Sequence, residues 1–340
     1  MKKLISLILF SSFLLLSLVS CDLIQYNNGT LQYNDSAIRY TQGKKLIAEE
    51  RYEEAYAIFK ELGDYKDSAE ISRRFFYMPM SLSAQSDSQT ALARCTLHAN
   101  NLPSEVTITY PYGGTDKFSF VFDNNGRLTT LYDIEFEEEA DITCYEYDTN
   151  GNLIKETTNG IYITEYTYDF SNNLIKQVDI SANGSRRITD CIYDTSGNLT
   201  RKIHSYSDDN VYTIEYTTNY TYDVSGNLIK EVDTHYNGGE SVFEYTYDAA
   251  GNLIKEVFGN QIFDYTYDVS GNLIRKVFTY CGTTEYTRTY TCDAAGNVTE
   301  LVESSYGNVY KMNIQYKLVL LPFDTSEEIA QLLKKALSFE

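Results

Sequence analysis

One short pattern recurs along most of this chain and limits what it can fold into: Y-x-Y-D-x-x-G-N-L. It is complete at Tyr145 to Leu153, Tyr220 to Leu228, Tyr245 to Leu253 and Tyr265 to Leu273. Altered copies run from Phe120 to Leu128, from Tyr166 to Leu174 with Asn172 where Gly would stand, from Cys191 to Leu199, and from Tyr290 to Val298 with Cys292 for the second Tyr. Asn101-Leu102 ahead of Val106 reads as a decayed start of one more. Tyr at alternate positions with Thr between is a strand pattern, aromatics on one face and hydroxyls on the other. D-x-x-G-N is then its turn, with Asp accepting backbone N–H bonds at the first corner and Gly supplying a positive φ. The next strand starts at Leu. In Leu228-Ile229-Lys230-Glu231-Val232 simple alternation puts Leu228 and Val232 on the Tyr face and turns Glu231 away.

The expected turn residues are therefore Asp123, Gly126, Asp148, Gly151, Asp169, Asp194, Gly197, Asp223, Gly226, Asp248, Gly251, Asp268, Gly271, Asp293 and Gly296, in a structural role. Successive Asp positions are 20 to 29 residues apart, and most steps differ by four. Lengthening both arms of a hairpin by two residues keeps every side chain on its face, so the variation belongs at the far tips. Those tips carry Asn159-Gly160, Asn183-Gly184, Asn237-Gly238-Gly239 and Gly259-Asn260.

These repeats resemble the YD repeats of the RHS family. In that family long arrays wind into β-shells around a toxic C-terminal polypeptide, and other members are cell-surface or wall-associated proteins. The self-cleavage signature that the resemblance implies, built around Asp-Pro, does not occur, since none of Pro79, Pro103, Pro111 and Pro322 follows Asp. The expected fold is mainly β: an elongated, twisted antiparallel array of YD hairpins over residues 95–323. A small helical domain at 35–80 precedes it, and a capping helix at 324–340 covers its open end. That last helix would start at a Thr325/Glu328 capping box and bury Ile329, Leu332, Leu333, Ala336 and Leu337.

Residues 35–80 show helical spacing, with small Gly43 and Ala55 where two helices would approach closely, and resemble one tetratricopeptide unit. Ahead of them, Lys2 and Lys3 precede an apolar run from Leu4 to Val19, shorter than a membrane-spanning helix. Leu18-Val19-Ser20-Cys21 resembles a bacterial lipobox. This implies a signal peptide at 1–20, lipidation of Cys21, a polar tether at 21–34 and a chain held at the outer side of the cytoplasmic membrane, or at an outer membrane.

Composition narrows the function. Asp and Glu number 48 against 28 Lys and Arg, a net charge of −20, which repels nucleic acid. With 32 Tyr and no Trp, the aromatic content follows from copying one unit. The motif Tyr residues are expected to pack against Leu and one another. His98, His204 and His235 lie far apart in sequence, and no nucleophile elbow, phosphate loop or metal motif is present. Turn capping is the better account of the Asp and Asn repeats than calcium ligation. Glu137 to Glu139 and Asp208-Asp209 read as solvated acid runs. The cysteines beyond Cys21, namely Cys95, Cys144, Cys191, Cys281 and Cys292, form no C-x-x-C pair. The chain is thus expected to be no enzyme and to need no cofactor or metal. Its expected partners are the membrane, through the lipid, and a glycan, cell-wall polymer or protein. The runner-up is a reduced relative of toxin-delivery proteins, acting as a shell fragment or in contact-dependent competition.

Overall fold

The computed structural model describes residues 24–27, 30–33, 35–86, 89–135, 139–208, 211–321, 329–330 and 333. The expected signal peptide, Cys21 and most of the 324–340 helix lie outside the described residues, as do Glu137, Glu138 and Asp209; Ile329 and Leu333 are helical and buried. No helix among the described residues is long and apolar enough to cross a membrane, which says nothing of strands. The chain divides into two units.

The first unit holds Met1–Met78, Ala99–Leu102 and Lys317–Leu332. Strands β1 (Ile24–Asn27) and β2 (Thr30–Tyr33) form a small hairpin within the segment read as a tether. Helices α1 (Asp35–Ala48), α2 (Tyr52–Leu62) and α3 (Ser68–Arg73) follow. Leu46, Ala55, Phe59, Ile71, Phe75 and Leu318 form the core. Gly43 explains how α1 and α2 come so close: a Cβ there would sit 2.8 Å from the Phe59 ring. Tyr40 meets the Phe59 ring edge-on at 5.8 Å and donates its hydroxyl to Asp67 at 2.6 Å.

The second unit is a sheet, and it overturns the expected architecture. Twenty antiparallel strands, from β3 (Phe75–Ser86) to β22 (Asn308–Leu320), form a closed barrel rather than an elongated open array of hairpins. β22 neighbours β3, with Ser81 and Gln315 hydrogen-bonded at 3.0 Å in this seam. Closure removes both free edges, so the sheet has no need of an end cap. The open array failed as an expectation because the motif specifies each hairpin and its neighbour, whereas closure is contributed by strands outside the motif. β3, β4 (Gln89–Leu97) and β22 carry no Y-x-Y-D, and two of them begin before residue 95.

The motif turns all fall at one rim, because each joins an even-numbered strand to the odd-numbered strand after it. The far tips make the other rim. A barrel of this many strands encloses space rather than a packed core. Few of its side chains are fully buried, among them Val106 and Phe120, and the Tyr residues of the motif are half-buried.

Candidate functional site

The site begins with the repeat's own chemistry. Asp148 Oδ1 accepts the N–H groups of Asn150 at 2.8 Å and Asn152 at 2.9 Å, and its Oδ2 accepts the Asn152 amide at 3.0 Å. The same three bonds recur at Asp169, Asp194, Asp223, Asp248 and Asp268. At Asp293 the Asn297 amide reaches both oxygens. At Asp123 the side-chain donor is Arg127 Nε, at 2.8 Å. In Asp148, Asp169, Asp223, Asp248 and Asp268 the Asn amide first, helped by the backbone N–H groups, holds the carboxyl below the usual range. Both oxygens thereby accept from donors of the turn itself, which closes it. Gly126, Gly151, Gly197, Gly226, Gly251, Gly271 and Gly296 have positive φ, and Asn172 takes the same conformation at φ 62.

A bulge after each turn decides which side chains share the Tyr face. Tyr222 pairs with Leu228 but Thr221 pairs with Lys230, so Ile229 is an extra residue. All eight copies shift register at this point. Alternation is inverted beyond it. Glu231 stands opposite Tyr220 on the Tyr face and Val232 on the other, the reverse of the expected arrangement. The Tyr245 hydroxyl reaches Glu231 at 3.4 Å, and Tyr166 donates to Glu156 at 2.6 Å. Burial first, then the neighbouring Glu231 and Glu256 charges, pushes Tyr245 up to about 12.

The Tyr face is the concave one. In β8 (Asp141–Tyr147) Tyr145 and Tyr147 are half-buried while Cys144 and Glu146 are exposed, and a closed barrel shields its inside. Aromatic pairs line this face: Phe243 stacks on Phe258 with ring centroids 4.2 Å apart, and Phe263 on Phe278 at 4.7 Å. His204 and His235, remote in sequence, lie on either side of Tyr216, at 4.2 and 5.7 Å. His98 sits elsewhere, with Nε2 3.3 Å from the Phe120 carbonyl oxygen. Burial foremost, with Lys202 adding to it, lowers the His204 pKa. No group of three or more metal-ligating side chains occurs among the described residues. Cys95 and Cys191 are buried thiols, Cys144 and Cys281 exposed ones, and none of the five described cysteines is paired.

At the seam the concave face opens into a cavity of about 620 Å3, lined on one side by Tyr290, Leu301, Met312 and Tyr316 and on the other by the tip residues Tyr110 and Tyr112. Sequence reading missed it, because its walls come from strands at opposite ends of the repeat region. The signal that was available is the Tyr-x-x-x-x-x-Tyr run of Tyr310 and Tyr316 outside any motif copy.

The model of the Teneurin YD-shell matches residues 25–257. The chain belongs to this YD-shell family. No curated protein matches the chain closely enough to be named as a relative. Among solved structures, this YD-shell chain is similar to the TcdB2-TccC3-TEV structure, at 16% identity and a TM-score of 0.36 over 75% of the chain. It is similar also to the Photorhabdus luminescens Tc holotoxin pore carrying TccC3-D651A, at 15%, 0.36 and 73%. A porin-like protein from Bacteroides uniformis is similar over 70% of this chain and 98% of its own, at 14% and 0.35. The YD-shell chain spans 17% and 16% of the two Tc chains.

Proposed function

We propose that this protein is a noncatalytic YD-repeat shell that holds a polypeptide partner against its concave face, in toxin delivery or contact-dependent competition. The observation that carries the reading is the closure of the sheet by β22 on β3, with Tyr, Glu and Asp side chains turned inward. Family membership supports it, because the YD-shell unit is what this sequence preserves over residues 25–257. An acidic, hydroxyl-rich lining suits a basic or polar chain, held by many weak contacts rather than one anchor. The Leu18-Val19-Ser20-Cys21 lipobox supports attachment at the cell envelope through lipid on Cys21.

The test is purification of the full chain from the cell that produces it, followed by protease treatment before and after unfolding in urea. A copurifying polypeptide that becomes digestible only once the barrel is opened is the expected result. A chain that purifies alone, with no protected polypeptide, would overturn the reading. Glycan recognition keeps one specific observation in its favour, the exposed tyrosines of the variable rim.

A further inference from the structure

The inner wall of the barrel changes character beside the seam. Each motif copy sets one side chain opposite its first residue, on the concave face. Along the middle of the repeat region that side chain is polar: Glu156, Gln177, Lys202, Glu231, Glu256 and Lys276. In the copies nearest the seam it is Leu131, opposite Phe120, and Leu301, opposite Tyr290. Neighbouring strands continue the apolar run. Leu82 faces Ala93 across one ladder, Cys95 faces Val106 across the next and Val106 faces Phe118 across a third, so all of them share the concave side with Phe120.

Burial changes with composition. Phe120 is 2% exposed and Val106 0%, and Leu82, Ala93, Cys95 and Leu131 are buried as well. Residues at the same motif positions farther round the wall, Tyr145 with Glu156 and Tyr220 with Glu231, are half-buried. Curvature is common to both parts of the sheet and leaves such side chains partly in water. Full burial near the seam therefore needs a further element lying over these residues.

The end of the chain supplies one. Leu333 is grouped with the sheet, is helical and is 1% exposed, although it lies beyond the last strand, β22. Leu333, Ala336 and Leu337 fall at helical spacing and make one apolar stripe. A closed barrel has no edge for this stripe to cap, and a wall of Glu, Gln and Lys offers it no apolar contact. Lys334 and Lys335 lie off the stripe, where a lumen lined by Glu156, Glu231 and Glu256 favours cations.

We propose that the C-terminal helix, from Leu333 onward, docks on the apolar sector of the inner wall formed by Leu82, Cys95, Val106, Phe120 and Leu131, as a ligand that the chain carries itself. A guest held by the shell then has the polar wall left to bind. The inference goes beyond the shell function and stands without a guest, so protease protection of a partner and docking of the helix fail separately.

Hydrogen exchange of the full chain, followed on peptides covering 331–338, tests it. A helix this short is marginal in water by itself, so protection of its amides reports docking. Leu131→Gln is the informative variant, because Gln177 fills the same motif position elsewhere in the barrel and the strand accepts it. It should speed exchange of the helix about tenfold, while Gln177→Leu on the polar wall leaves that exchange unchanged. Leu333→Asp checks the contact from the other side. Cys95, whose thiol burial pushes up to about 12, should then alkylate about tenfold faster, while Cys191 keeps its rate. Amides that exchange at the free-peptide rate in the unaltered chain, or that answer equally to Leu131→Gln and Gln177→Leu, overturn the proposal. So does a Cys95 rate indifferent to Leu333→Asp.

Discussion

The Tyr247 hydroxyl donates to the carbonyl oxygen of Leu228 at 2.9 Å, tying one repeat to the repeat before it. The ladder between β15 (Leu228–His235) and β16 (Glu240–Tyr247) ends where Lys230 faces Glu244, short of the motif, and the phenol continues the bonding beyond that point. The same bond joins Tyr147 to Leu128, Tyr168 to Leu153, Tyr193 to Leu174, Tyr222 to Leu199 and Tyr267 to Leu253. This gives the second Tyr of the motif a reason to recur at its position, while the acceptor, a backbone oxygen, makes no demand on the Leu side chain. Removing one hydroxyl while keeping the ring costs about 1 kcal/mol. Tyr247→Phe should lower the unfolding free energy measured in urea by that amount, and Tyr168→Phe should add to it, since distant sites are additive. Tyr236→Phe, on an exposed tip, should change nothing.

Gly226 sits at φ +86 and nothing lies within 4 Å of where its Cβ would be. A side chain there therefore meets strain from the backbone alone. Gly226→Ala should cost about 1 kcal/mol, the penalty of an L-residue in the left-handed region. Gly226→Asn should cost clearly less, because Asn172 already occupies the equivalent place at φ 62. Equal losses in the two variants by chemical denaturation would refute this account.

How much of this could be read beforehand depends on the range of the interaction. The turn at Asp148 is local: carboxylate, amide and glycine are neighbours in sequence, and D-x-x-G-N spells them out. The face on which Glu231 lies is decided by one extra residue, Ile229, which alternation from Leu228 cannot register. The Tyr247–Leu228 bond crosses between repeats, and the pattern shows that both residues recur without showing that they meet. Closure was least legible, because β3 and β22 carry no motif and meet only after eighteen intervening strands have accumulated their twist. Gly43 was legible as a small residue in a helix, but its reason, the Phe59 ring, needs the packed pair.

That glycine gives a prediction whose sign is diagnostic. In an exposed helix Gly→Ala would stabilise by about 1 kcal/mol through propensity. At Gly43 the new Cβ meets the Phe59 ring at 2.8 Å, and Phe59 is fully buried with no room to retreat. Overpacking of this kind costs about 1–3 kcal/mol, so Gly43→Ala should destabilise the helical unit in thermal unfolding. A raised Tm would show that the two helices can separate freely.

The turn carboxylates set an acid limit. Asp148, Asp169, Asp223, Asp248 and Asp268 all lie below their ordinary value of 3.8 when folded, chiefly through the Asn amides. Below that value the unfolded chain binds more protons than the folded one, so acid favours unfolding. Their contribution is complete above the unfolded pKa and is lost as pH falls through the folded ones. Glu231 runs the other way: burial first, then Asp233, raises its pKa, so its charge opposes folding at neutral pH. Urea midpoints should stay level down to about pH 4 and then drop. Asp223→Asn should flatten the drop, and Glu231→Gln should stabilise at pH 7 while leaving the acid limb in place.

The closed sheet itself can be checked by hydrogen exchange. In an open array the first and last strands would be edges, with alternate N–H groups facing water and exchanging fast. In the barrel β3 and β22 each have two neighbours, like β14 (Val211–Tyr222) and β15 in the middle of the repeat region. Peptides covering 80–85 and 311–316 should therefore be protected to the same degree as those covering 216–221 and 229–234. Fast exchange confined to the first two would mean that the seam between Ser81 and Gln315 opens in solution, and the enclosed space with it.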